Sequence, residues 1–230
     1  PHLHETLAFR VLAGLLAVAL VWLGYLGLRH RYARQRMVLE QLVQERTRDL
    51  QAANARLKEI SFTDPLTGLH NRRHFSTRLD ELAREARAGG AGFALMILDL
   101  DHFKLVNDRH GHSAGDACLQ ALAARMQQAF GAGSMRLARL GGEEFGVLLE
   151  DVPADEALRA AEDFRAALVA RPLEACGHRL AVTVSVGVAV FDPRRHGDGD
   201  DLYREADVAL YEAKRGGRDR VEVAPAGGLT

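Results

Sequence analysis

Six consecutive apolar residues, Phe93-Ala94-Leu95-Met96-Ile97-Leu98, run directly into Asp99. A strand apolar on both faces needs a covering layer on each side, so this run marks the chain as a layered α/β fold. Ligand chemistry in open α/β sheets gathers at the carboxyl ends of such strands, which makes Asp99 the first candidate functional carboxylate. Asp101 projects the same way only if the strand persists that far. If the strand ends at Asp99, Asp101 caps the helix that follows. We assign Asp99 as a ligand and expect Asp101 to be the cap.

A second acidic feature is Gly141-Gly142-Glu143-Glu144-Phe145. The alternation from Met135 to Leu140 and the apolar run from Phe145 to Leu149 suit two strands joined by a tight turn, where glycine reaches positive φ without steric penalty. Adjacent carboxylates at such a tip repel unless a cation neutralises them. Taken alone, the tip reads better as a solvated acidic turn, and other acidic residues have to decide the matter. The Asp and Asn residues between Asp99 and Asp116 do not form an EF-hand, because Phe103 and Lys104 stand where that loop needs an oxygen ligand and a glycine.

Periodicity fills in the rest of the domain. Helices are expected from about Arg72 to Ala88, ending at Gly89-Gly90, and from about Ala114 to Phe130, ending at Gly131. Two more run from about Ala154 to Arg171 and from about Asp200 to Arg215, with strands at Leu173 to Cys176, Arg179 to Val190 and Arg220 to Val223. The sum is an α/β sandwich. Lys and Arg number 30 against 31 Asp and Glu, a net charge of -1, which argues against nucleic acid as the main partner. Cys118 and Cys176 lack CxxC spacing and read as reduced core residues. Among the histidines only His110-Gly111-His112 approaches metal spacing, and Gly111 makes a loop the better reading.

The N-terminal segment has a different character. Val11 to Leu28 carries no charge over 18 residues, and at about 1.5 Å per residue it nearly spans a hydrocarbon core of about 30 Å. Arg10 can snorkel, Trp22 and Tyr25 suit an interface, and Arg29, Arg31, Arg34 and Arg36 form a stop-transfer cluster that places the following chain in the cytoplasm. A signal peptide is the alternative, but no small-residue cleavage site follows. Residues 1–28 are thus expected to be a membrane anchor, with a transmembrane helix over about 7–28. Because the first residue is Pro, we expect a missing part outside the membrane, a sensor domain being one hypothesis. Leu39, Val43, Leu50, Ala53, Leu57 and Ile60 recur at spacings of three and four, with Arg46 in the same stripe. Residues 29–60 therefore read as a juxtamembrane and coiled-coil helix, a single amphipathic helix being the alternative.

Five segments together resemble the GGDEF family of diguanylate cyclases: Asp64 through Arg73, Asp99 through Asp116, Arg139 through Phe145, Thr183 through Gly187, and Ala206 through Lys214. They keep the family's order across about Ser61 to Val223. The resemblance implies a catalytic domain over 61–224, a flexible tail over 225–230, and the palm-like nucleotidyl cyclase sandwich with a central, mainly antiparallel sheet. It implies condensation of two GTP molecules into cyclic di-GMP and two pyrophosphates. Each half-site would then have to meet another, giving the coiled coil a role in homodimerisation. The implied metal is Mg2+, with Mn2+ as the alternative, held by Asp99, the Leu100 carbonyl and Glu143. Glu143 is assigned as metal ligand and base, Glu144 as the second carboxylate, and Lys104 as a transition-state cation. The Phe103 and Lys104 amides, the backbone at Gly141 and Gly142, and the side chains of Lys214 and Arg218 would receive phosphates. A basic helix end is the plainer reading of that last pair. Asn107 and Asp116 would select guanine. The implied location is a bacterial inner membrane, single-pass, with the catalytic domain cytoplasmic.

Two departures stand out. The family's inhibitory Arg-x-x-Asp is replaced by Ala132 and Met135, so no product inhibition is expected through that site. Asp219 stands where Asn commonly follows the matching Arg218. A catalytically silent nucleotide receptor and a scaffold with a vestigial head are the alternatives, and the intact acidic residues weigh against both.

Overall fold

The computed structural model describes residues 62–131 and 137–224, together with Trp22, Leu23, Tyr25, Arg29, Arg46 and Thr47. Apart from those six residues, the expected transmembrane helix and coiled coil lie outside the described residues, as do the tail and the Ala132 and Met135 positions. Among the described residues no helix is long and apolar enough to cross a membrane.

In chain order the elements of the unit from Ser61 onward are β1 (His70–Asn71), α1 (Arg72–Arg87), β2 (Phe93–Leu100), α2 (Phe103–His110), α3 (His112–Phe130), β3 (Leu137–Gly141), β4 (Glu144–Glu150), α4 (Ala154–Ala170), β5 (Leu173–Ala175), β6 (His178–Leu180), β7 (Val184–Val190), α5 (Gly199–Arg215) and β8 (Val221–Val223). Six strands form one sheet in the order β1-β3-β4-β2-β7-β8, and β5 pairs with β6 in a separate ribbon. The sheet is mixed. Its three inner pairings are antiparallel, while β1 with β3 and β7 with β8 are parallel.

Every residue of β2 is buried, and its alternation explains why. Ala94, Met96, Leu98 and Leu100 face a cluster with Leu119, Leu122 and Met126 of α3 and Phe164 of α4. Phe93, Leu95 and Ile97 face the opposite cluster, with Phe75, Leu79 and Leu82 of α1 and Leu202, Ala206 and Leu210 of α5. Two helical layers thus cover one apolar strand, the arrangement that its composition demands. On the second face Ile97 lies between Gly146 of β4 and Gly187 of β7 in register. A Cβ at Gly187 would lie 2.1 Å from the Ala206 carbonyl oxygen, and one at Gly146 would lie 2.5 Å from the Phe75 ring. The two glycines let α5 and α1 seat against the sheet.

Three expectations need correction. The stretch from Arg179 to Val190 is two strands, because the chain leaves the β5–β6 ribbon and joins the main sheet only at Val184. Cys118 is buried, and burial pushes its thiol up to about 11, but Cys176 is exposed at a left-handed turn position between β5 and β6. Asp101 is not a cap: His102 occupies the N-cap of α2 without a side-chain cap bond, and Asp101 turns inward instead.

Candidate active site

Asp99 lies one residue before the end of β2, with Glu144 of β4 directly across on one side and Ser185 of β7 on the other. Residues directly opposed in an antiparallel pair share a face, so the sheet brings the Asp99 and Glu144 side chains to one side. Glu143 sits in the turn before β4, and its carbonyl accepts the Leu100 N–H at 3.2 Å. The hairpin tip and the end of β2 are therefore joined by backbone. Gly142 has φ +53° and Gly141 φ +150°, which let the chain reverse within two residues after the register shift beyond Arg139.

Lys214 of α5 places its Nζ 2.7 Å from Asp99 Oδ2. Burial pushes the Asp99 carboxyl above its ordinary value of 3.8, Lys214 opposes the rise, and Glu143 and Glu144 add to it. A carboxylate that is desolvated and crowded by two others gains from a cation, and here an ammonium supplies it. Arg218 belongs not to α5, as its spacing implied, but to the loop beyond, where Gly217, Arg218 and Asp219 all have positive φ. That loop is held by Asp101. The Asp219 N–H donates to Asp101 Oδ2 at 3.0 Å, Thr183 and Ser185 hydroxyls donate to the same carboxylate at 2.7 Å each, and Arg218 Nε lies 4.0 Å away. The Asp219 carboxylate pairs with Arg165 of α4 at 2.8 Å, which gives the Asp at this position a partner of its own.

Phe103 and Lys104 open α2, and the Lys104 side chain is exposed. Asn107 packs so close to α3 that a Cβ at Gly115 would meet its Oδ1 at 1.9 Å, so Asn107 lies beside the backbone that carries Asp116. His110 and His112 are exposed at the two helix ends that flank Gly111. Among the described residues no group of three or more His, Cys, Asp or Glu side chains is already gathered as a metal cage.

One contact set escaped the sequence reading. Arg139 donates Nε and Nη2 to the Gly142 carbonyl at 2.9 and 2.8 Å and Nη1 to Asp64 at 3.3 Å. Asp64 also accepts from the Thr67 amide and hydroxyl at 2.9 and 2.7 Å. Burial alone would raise the Asp64 carboxyl, but the Thr67 bonds and Arg139 outweigh it and hold it below 3.8. The start of the domain is thereby tied to the hairpin turn. A half-buried Arg in the run Leu137-Ala138-Arg139-Leu140 was the signal available.

Comparison with known proteins agrees with this geometry. The family model described as "Diguanylate cyclase, GGDEF domain" matches residues 61–220. The diguanylate cyclase DgcP of Pseudomonas aeruginosa is 43% identical over 168 residues, covering 73% of this chain and 24% of that protein. The response regulator PleD of Caulobacter vibrioides is 39% identical over 168 residues, covering 71% of this chain and 36% of PleD. The chain thus spans well under half the length of these curated relatives. The crystal structure of the coiled coil and GGDEF domain of DgcB from Caulobacter crescentus, in complex with c-di-GMP, aligns with a TM-score of 0.66 at 34% identity, covering 81% of this chain and 99% of that one. With the strand-end Asp99, the Gly141-Gly142-Glu143-Glu144 hairpin and the family match across 61–220, the chain belongs to the GGDEF diguanylate cyclase domain family.

Proposed function

We propose that this chain is a diguanylate cyclase, condensing two GTP molecules into cyclic di-GMP with release of two pyrophosphates. The observation that carries the reading is the strand end itself: Asp99 opposite Glu144, bonded through Leu100 to the Glu143 turn and ion-paired with Lys214. GGDEF cyclases are metal-dependent. The donor set of Asp99, the Leu100 carbonyl and Glu143 is all hard oxygen and suits Mg2+, with Mn2+ as the alternative. The cation already drawn to Asp99 supports that fit. When bound, such an ion neutralises charge on the phosphates and polarises the attacking and leaving oxygens.

The chain's own residues supply positioning and proton transfer. Glu143 accepts the proton of a 3'-hydroxyl as that oxygen bonds to the α-phosphorus of the opposite nucleotide and the bond from phosphorus to the pyrophosphate oxygen breaks. Glu144 is the second carboxylate on the Asp99 face. The first amides of α2, with Lys104, Lys214 and Arg218, receive the phosphates. Asn107 and Asp116 present an amide and a carboxylate to the guanine edge, whose N1–H and N2–H donors adenine lacks. One hairpin serves one GTP, so two copies must meet.

The N-terminal segment completes the proposal. A transmembrane helix over about 7–28 and a coiled coil within 29–60 would anchor the domain at the cytoplasmic side of a bacterial inner membrane and bring two copies together. The charge-free run, the arginine cluster and the apolar repeat support this. Incubation with GTP and Mg2+ followed by chromatography tests the activity. Cyclic di-GMP from the wild type and none from Glu143→Ala is the expected result. GTP binding without product would favour a silent nucleotide-binding module.

A further inference from the structure

Arg218 stands on a stretch of backbone that does not hold its own shape. Gly217, Arg218 and Asp219 have φ of +113°, +65° and +45° in succession. Two consecutive non-glycine residues in the left-handed region keep that conformation only where their surroundings fix it. One side of the loop is fixed by the end of α5, where the Arg218 N–H donates to the Ala213 carbonyl at 3.0 Å. The other side is fixed at Asp219. Its N–H donates to Asp101, and its side chain points away from the site, to Arg165 of α4. Arg165 is well placed to hold it. Its Nη1 donates to Asp219 Oδ1 at 2.8 Å and its Nε to Glu162 Oε2 at 2.8 Å, so Glu162, three residues earlier on α4, orients the guanidinium toward the loop. The Arg165 side chain is only 25% exposed, and both bonds join charged groups, the stronger class. Ala161, Phe164 and Leu168 are buried and fix α4 against the core, so the helix end of the pair does not follow a loop that moves.

We infer that Arg165, which lies outside the site, is a positioning residue for Arg218: by gripping Asp219 it keeps the loop left-handed and the Arg218 side chain beside Asp101. The inference rests on the proposed role of Arg218 in receiving phosphate. Without Arg165 the loop relaxes toward negative φ, and Arg218 moves with it. The pair depends on the charge of Asp219, because Asn at that position tolerates the left-handed turn but leaves the guanidinium only Glu162 as a charged partner. A purely electrostatic role for Arg165 makes the opposite prediction at Asp219. If Arg165 served only as a positive charge near the triphosphate, removing the negative charge of Asp219 would tighten nucleotide binding. Holding the loop requires that it weaken.

Calorimetric titration of the Mg2+-loaded protein with 3'-deoxy-GTP, which lacks the attacking hydroxyl, reads binding apart from synthesis. Arg165→Ala should weaken affinity about threefold to fivefold, the scale of a partly exposed ion pair, and Arg165→Lys should recover part of the loss. Asp219→Asn should weaken it as well. Arg159→Ala, which removes an exposed pair with Asp155 on the same helix, should leave affinity within about 1.5-fold. In an Arg218→Ala background, Arg165→Ala should have no further effect, since the residue it positions is gone. Thermal unfolding checks that each variant folds, and Arg165→Lys with Asp219→Asn carries the test if Arg165→Ala does not. With GTP as substrate, Arg165→Ala should raise KM more than it lowers kcat. Unchanged affinity in Arg165→Ala, tighter binding by Asp219→Asn, an equal loss with and without Arg218, or a loss confined to kcat would overturn the positioning role. Absence of cyclic di-GMP from a wild type whose binding shows the expected losses counts against the cyclase reading alone.

Discussion

Asp101 offers a strong internal test of how the fold positions the site. Its side chain has no exposed surface, and its two oxygens take three hydrogen bonds, from Ser185 Oγ, Thr183 Oγ1 and the Asp219 amide, at 2.7, 2.7 and 3.0 Å. Replacement with Ala strands all three donors. Thr183 is only partly buried and can turn to water, but the Ser185 hydroxyl is fully enclosed and the Asp219 amide is fixed by its loop. An unsatisfied buried donor costs about 1–3 kcal/mol, so Asp101→Ala should lower stability by about 2–5 kcal/mol. Asp101→Asn is a sharper comparison. Its carbonyl oxygen can still accept from Asp219 and Thr183, but its NH2 faces Ser185 and leaves that one hydroxyl hydrogen without an acceptor, so we expect a loss of about 1–3 kcal/mol, smaller than that of Asp101→Ala. Urea unfolding of both variants measures the difference. In the Ala variant the loop that carries Arg218 also loses its tether, so KM for GTP should rise more than kcat falls. An Ala variant within about 0.5 kcal/mol of wild type, below the range for a stranded donor, or an Asn variant equally damaged, would refute the reasoning.

Further outcomes follow from other positions. Gly187→Ala should destabilise by about 1–3 kcal/mol, because the new Cβ would stand 2.1 Å from the Ala206 carbonyl and 2.4 Å from the Leu210 nitrogen, backbone atoms that no rotamer change can move. The chain-entropy gain of about 0.4–1 kcal/mol is too small to reverse the sign, and an unchanged urea midpoint would count against the packing described. Asp99 has a raised pKa, so in the metal-free protein its contribution favours folding below the unfolded value near 3.8 and is lost as pH rises through the higher folded value. The stability of Asp99→Asn relative to wild type should therefore grow with pH across that window, and a gap that narrows would contradict the shift. A thiol reagent at pH 8 should modify Cys176 alone in the native protein and both cysteines after unfolding; rapid native modification of Cys118 would contradict its burial. Asp116→Ser should weaken the preference for GTP over ATP, and an unchanged preference removes Asp116 from guanine selection.

Local signals account for what could be read in the chain. The β2 run was legible because both its faces are apolar, and α1 and α3 were legible because glycines end them. The β5–β6 ribbon was not, since Arg179 to Val190 has strand character throughout and only pairing partners decide where one strand stops. Asp101 looked like a cap because Asp before a helix usually is one. Its true partners lie 82, 84 and 118 residues away, beyond any local pattern. The candidate site shows the same division. Its residue types were legible through the family resemblance, but the Lys214 to Asp99 pair and the Arg139 hold on Gly142 depend on distant elements meeting.

The central claim is that each chain carries half of a cyclase site, and its most direct measurement is cyclic di-GMP formed per chain as chain concentration rises at fixed GTP and Mg2+. Specific activity should climb with concentration and level off once the chains are dimeric, while Glu143→Ala forms none at any concentration. A specific activity independent of concentration for a chain shown to be monomeric, or no cyclic dinucleotide from a dimeric one, would contradict the account.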